Sequence, residues 1–138
     1  MYDLSGKVAL ITGIGGPADE LSNGKAIAIL LARQGAIIEG TDIDNKAGAE
    51  TVAIITKMGG KAVCSNVNAV DQPAVEKWVN SCVAKHGRID ILVNNVGQSD
   101  PGGPVSMSVN IWQAQIDLNL NAAFFTMQAV LPCMIATK

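Results

Sequence analysis

The sequence predicts an α/β fold, a parallel sheet with helices on both faces, and three observations predict it. Short aliphatic runs alternate with longer stretches of helical periodicity along the whole chain. The runs are apolar throughout rather than at alternate positions, as strands buried on both faces are. Glycines stand where the first strand ends and where the first three helices stop.

The first run, Lys7–Thr12, ends at Gly13 and reads as a strand. Asn23–Gln34 carries apolar residues on a helical period and stops at Gly35. Ala36–Thr41 is the second strand and runs into Asp42. Asn45–Met58 is a helix closed by Gly59-Gly60, and Lys61–Ser65 a third strand. Asp71 caps a third helix that extends to about His86 before Gly87. Ile89–Asn94 is the fourth strand, and Gln98–Pro104 a loop rich in Gly, Pro, Ser and Asp. Ser108 caps a long fourth helix reaching about Ala136, with Pro132 expected to kink or end its last turn.

With 138 residues, the chain is long enough for one domain, here 1–138. At 49% hydrophobic and 16% charged, it is neither disordered nor a coiled coil. A net charge of −2 implies no basic face, so neither nucleic acid nor an anionic membrane is expected as a partner. No uninterrupted apolar run reaches the ~18 residues of a membrane span. The opening residues lack the layout of a signal peptide. Cys64, Cys82 and Cys133 are odd in number, widely spaced and in apolar company, so they read as reduced core thiols of a cytoplasmic protein. With His86 the only histidine and no Cys-x-x-Cys pair, no metal site is expected.

Three stretches carry chemistry. The loop from Gly13 to Gly24, with Gly15 and Ser22 inside it, joins a buried strand to a helix N-terminus, where bare N–H groups and the helix dipole bind pyrophosphate. Asp42, about 30 residues beyond Gly13 at the end of the second strand, is placed to accept both adenosine ribose hydroxyls and to repel a 2′-phosphate, favouring NAD over NADP. Asn94-Asn95-Val96-Gly97 ends the fourth strand at the carboxyl edge of the sheet, where open α/β sheets take ligands.

On these residues the chain resembles the short-chain dehydrogenase/reductase (SDR) family. Thr12-Gly13 matches the family's opening motif, Asp42 its NAD-selecting acid, Asn94-Asn95-Val96-Gly97 its Asn-Asn-Ala-Gly motif with one substitution, and Trp112 to Phe124 its fourth helix. The resemblance implies a doubly wound, Rossmann-like sheet of order 3-2-1-4, truncated after the fourth helix, and a homodimer seated near that helix. It implies that Asn119 is the active-site asparagine of a proton relay, that Asn94 stabilises the central sheet, and that Gly97 leaves room beside the cofactor.

The departures from the family bear on activity. Its catalytic serine and Tyr-x-x-x-Lys pair lie beyond the fourth helix; here the only tyrosine is Tyr2, with Gly6 four positions on. A phenol with a pKa of about 10 needs the lysine's help near neutrality. The glycine loop is five residues longer than the family spacing, Ser22 replaces its middle glycine, and the added length carries Asp19 and Glu20. Carboxylates there repel a pyrophosphate, and Ser22 or Asn23 can satisfy the helix N–H groups instead. Asn66-Val67 replaces an Asp-Val pair that bonds the adenine amino group, a bond an amide can still accept.

Three functions are therefore open: an NAD-dependent oxidoreductase fold, seen as an incomplete chain and inactive alone, with NAD bound weakly or lost; a repurposed isomerase, cyclase or lyase acting on a small hydrophobic molecule; and a non-catalytic binding subunit. His86 reads as a cation suited to a helix C-terminus. Trp78, Trp112, Met107, Met127 and Met134 read as packing, and Asp117 as a helix-surface acid.

Overall fold

The computed structural model describes residues 2–17 and 19–137. Four parallel strands, β1 (Val8–Thr12), β2 (Ile37–Asp42), β3 (Lys61–Asn66) and β4 (Ile91–Val93), form one sheet of order β3-β2-β1-β4. Between them run α1 (Asn23–Arg33), α2 (Asn45–Lys57) and α3 (Gln72–His86). After β4 come α4 (Val109–Ile116), a π-helical turn (Asp117–Asn121) and α5 (Ala122–Ala136).

The strand alternation sorts side chains into two cores. Ala9 and Ile11 of β1 face α1 and α2 and pack with Ile14, Ala28, Ile38 and Ile55. Val8 and Leu10 face the other way, onto Val75, Trp78 and Val79 of α3 and Val130 of α5. A strand buried on both faces cannot alternate with polar residues, which is why Val-Ala-Leu-Ile-Thr reads as one apolar run. The helices start where their caps dictate: Ser22, Asp44, Asp71 and Ser108 each accept a backbone N–H of the following first turn. Gly87 ends α3 in the left-handed conformation.

Several expectations are corrected. The fourth helix is not one regular helix: the π-helical turn interrupts it, and α5 continues through Pro132 to Ala136. Proline at that position removes one backbone donor near the helix end without unseating Val130 from the core. β4 is three residues rather than six, because Ile89 is buried before the ladder begins and Asn94 leaves it for a side-chain contact. Trp112 and Met127 are 58% and 41% exposed, since no element among the described residues covers the side of α4 and α5 on which they lie. Val109–Ala136, with Asp117 its one charge, is long and apolar enough to cross a membrane by length and composition. Scattered Asn and Gln hide this from a search for uninterrupted apolar runs, and α5 buries Ala122, Thr126 and Val130 inside the fold.

One buried polar cluster lay outside the sequence reading. Glu39, in the middle of β2, is 4% exposed and meets Lys85 Nζ and His86 Nε2, each at 2.7 Å. His86 thus has a carboxylate partner as well as the α3 dipole. Cys82 Sγ lies 3.8 Å from Glu39 Oε2, and burial with that acid pushes its thiol up to about 12. Burial and Asp42 push Cys64 up to about 11, so both thiols stay protonated near neutrality.

Asp90 fastens the start of β4 to β1. It accepts from Val8 N–H at 2.9 Å, from Lys7 Nζ at 3.2 Å and from the Arg88 guanidinium. The Arg88 hydrogen bonds hold its carboxyl well below the usual range, despite desolvation. A depressed carboxyl contributes stability that is present above the unfolded value of about 3.9 and lost as pH falls. Asp90→Asn should therefore lose about 1–3 kcal/mol near neutrality and less on acidification than the parent chain. Urea melts at neutral and acid pH check this; equal acid sensitivity of the two proteins would contradict it.

Candidate functional site

The site is built at the carboxyl ends of β1, β2 and β4. Thr12 closes β1, and its hydroxyl accepts the N–H groups of Asn95 and Val96 at 3.0 and 3.2 Å. Asn95 replies through its amide, donating to the carbonyls of Thr12 and Gly13 at 3.1 and 2.8 Å. These four bonds lock the first turn against the segment after β4.

Gly13 follows at φ +70°, turning the chain toward α1. The return at Gly24 is so close that a Cβ there would lie 1.8 Å from the Gly13 carbonyl oxygen and 2.6 Å from Asn95 Nδ2. Only glycine fits. Between them the loop is pinned at several points. Gly15 N–H donates to Asp42 Oδ2 at 2.8 Å, Thr51 hydroxyl to the Ile14 carbonyl at 2.8 Å, and Ser22 hydroxyl to the Gly15 carbonyl at 2.5 Å. Ser22 also accepts Lys25 N–H as the cap of α1, in keeping with the expectation that it satisfies a helix donor. The N–H groups of Asn23 and Gly24, at the start of α1, have no intrahelical partner by construction.

Asp42 ends β2 with both oxygens facing N–H groups: Oδ2 takes Gly15, and Oδ1 takes Asp44 at 2.9 Å. Asp44, not Asp42, caps α2. A cleft of about 220 Å³ opens beside it, lined among others by Gly13, Thr41, Asp42, Asn95, Gly97 and Leu118.

Gly97 lies against Asn119, whose Oδ1 would stand 2.9 Å from a Cβ placed there. Asn119 sits in the π-helical turn and is fully engaged. Its Oδ1 accepts Gln98 N–H at 3.1 Å, and its Nδ2 donates to the carbonyls of Gln98 and Gln115 at 2.6 and 2.9 Å. Asp117 steadies the same turn by accepting from Gln113 and Asn121. A π turn widens the helix by one residue and often marks a functional position; here it presents Asn119 to the segment after Gly97.

Gly13, Asp42 and Gly97 thus converge on one cleft, Gly15 and Ser22 shape the loop above it, and Gly24 starts its helix. Two predicted residues stand elsewhere. Asn94 is not in the cleft: its Oδ1 meets the Thr126 hydroxyl on α5, tying β4 to that helix. The sheet-stabilising contacts expected of it are made by Asn95 and Thr12. Asn66 is also outside; its Nδ2 donates to the carbonyls of Asp42 and Ile43, at 3.2 and 2.9 Å, closing the end of β3 on β2. The cleft wall on that side is Val67, Asn68 and Ala69.

Chemically, the arrangement pairs helix-terminal N–H donors with a carboxylate across a glycine cradle. Such a site takes a ligand with phosphate at one place and a diol at another.

Comparison with known proteins shows the family. The family model for short chain dehydrogenases matches residues 7–138. Cyclohexanol dehydrogenase of Acinetobacter sp. is 34% identical over 131 residues, covering 94% of this chain and 50% of that protein. The solved structure of carveol dehydrogenase from Mycobacterium avium, in complex with NAD, superposes with a TM-score of 0.89 at 29% identity, over 99% of this chain and 52% of that one. A metagenomic short-chain oxidoreductase in complex with NADP gives 0.89 at 34% identity, over 96% and 58%. The chain spans about half the length of the curated relatives it matches.

Proposed function

Because the chain belongs to the short chain dehydrogenase family, we propose that these 138 residues are a nicotinamide-dinucleotide-binding unit that takes NAD in preference to NADP. The observation that carries this reading is Asp42, a carboxylate at the end of β2 that lines one cleft together with Gly13, against whose carbonyl Gly24 is packed. The N–H groups of Asn23 and Gly24 would receive the pyrophosphate, and Asp42 the adenosine ribose hydroxyls. NAD supplies the hydride acceptor or donor when bound. Asn119 holds the segment after Gly97 in place through the Gln98 backbone. No Tyr-x-x-x-Lys pair occurs in the 138 residues, so the unit binds the dinucleotide and does not by itself move a hydride to a small-molecule substrate.

Amide chemical-shift mapping with NAD tests the site. Shifts should concentrate at residues 13–15, 23–24, 42 and 95–97. Shifts confined to other surfaces would overturn the assignment.

Self-association through the fourth-helix region belongs to the same reading. Leu120, Phe124, Met127, Leu131 and Ile135 recur at helical spacing and are 41–64% exposed. This stripe fits a second copy of the chain. Sedimentation equilibrium should return a homodimer that Phe124→Glu converts to monomer. A parent chain that stays monomeric and folded at high micromolar concentration would contradict it.

A further inference from the structure

Lys25 stands one residue after the glycine cradle, in the first turn of α1, and is only 4% exposed. Its ammonium donates to the carbonyls of Pro17 and Glu20, each at 3.2 Å. Glu20 N–H donates to the Pro17 carbonyl at 3.1 Å, so the bonds to Lys25 fall on two residues of the lengthened loop that are themselves joined. Among the described residues no carboxylate lies within ion-pair distance of Lys25; its partners are neutral carbonyls.

That is an unfavourable place for a cation in the free protein. Burial of a charge costs stability unless it is paired, and the positive end of a helix dipole repels a lysine. Other contacts already anchor the loop's ends: Gly15 to Asp42, Ile14 to Thr51, Ser22 to Gly15. What Lys25 adds is a tie on the Pro17 and Glu20 carbonyls, from a helix start whose Asn23 is exposed, and a positive charge that no carboxylate among the described residues meets at ion-pair distance. An anion at the helix N-terminus relieves that charge and offsets the acids Asp19 and Glu20 carried by the same loop.

We propose that Lys25 is a positioning residue for the dinucleotide: it holds the lengthened loop folded beside the N-terminus of α1 and supplies the charge that draws the pyrophosphate there. The inference rests on the reading of the site as a dinucleotide cleft.

The test compares the parent chain with Lys25→Met, which keeps the stem and removes the donors, and with Lys25→Arg. Calorimetric titration with NAD, thermal melting without ligand, and hydrogen exchange at the Glu20 amide are read on each. Lys25→Met should weaken NAD binding about tenfold or more, speed exchange at Glu20, and leave the ligand-free melting temperature unchanged or raised. Lys25→Arg should recover most of the affinity. Unchanged NAD affinity in Lys25→Met overturns the proposal, as does a loss of affinity matched by a loss of melting temperature. A parent chain that binds no NAD, with Glu20 still protected and released by Lys25→Met, overturns the dinucleotide reading while leaving the loop clasp standing.

Discussion

Gly24→Ala should abolish dinucleotide binding and destabilise the chain by about 3 kcal/mol or more. The Cβ would sit 1.8 Å from the Gly13 carbonyl oxygen, which is backbone and cannot rotate away. Relief requires α1 to move off the turn. That movement breaks the Asn95 amide bonds to Thr12 and Gly13, the contacts that join β1 to the segment after β4. Gly103→Ala is the matched control, since nothing lies within 4 Å of its added Cβ. Denaturant melts and titration with NAD check both. A Gly24→Ala protein with parental stability would show that the turn is looser than described.

The second large effect concerns cofactor choice. Asp42 lines the cleft with a carboxylate that accepts two N–H bonds. A 2′-phosphate at the ribose would meet that charge at contact, a repulsion of about 1–4 kcal/mol near a protein surface. The parent chain should therefore prefer NAD over NADP by about tenfold or more. Asp42→Asn keeps the size and one acceptor, and should shrink the preference mainly by admitting NADP. Titration of both proteins with both cofactors measures it. A preference that survives Asp42→Asn intact would move the selectivity to another residue.

Much of this was legible because the determinants are local. Asp71 and Ser108 mark helix starts through caps that need only a side chain and the next turn. The run Val-Ala-Leu-Ile-Thr declares a central strand by lacking polar alternation. What sequence reading missed depends on register and on partners. Asn94 and Asn95 are neighbours at a strand end and so point to opposite sides; which one meets the glycine turn is set by where β4 stops pairing. The π turn at Asp117–Asn121 is invisible to a 3.6-residue period, because it is a single change in backbone pairing. Exposed Trp112 shows the same limit: periodicity gives a helix an apolar side, not the element that covers it. Glu39 did leave a signal, a charge in the middle of a buried strand, but its partners lie 46 to 47 residues away; Lys25 left none, and its partners lie 5 to 8 residues away in the loop before it.

The central claim is that these 138 residues recognise a nicotinamide dinucleotide through the glycine cradle and Asp42. Calorimetric titration of the purified chain with NAD and NADP tests it most directly. Saturable, one-to-one binding of NAD, weaker binding of NADP, and loss of the NAD signal in Gly24→Ala are the predicted result. Tighter binding of NADP than of NAD, or no saturable heat with either from a chain that melts cooperatively, would contradict it.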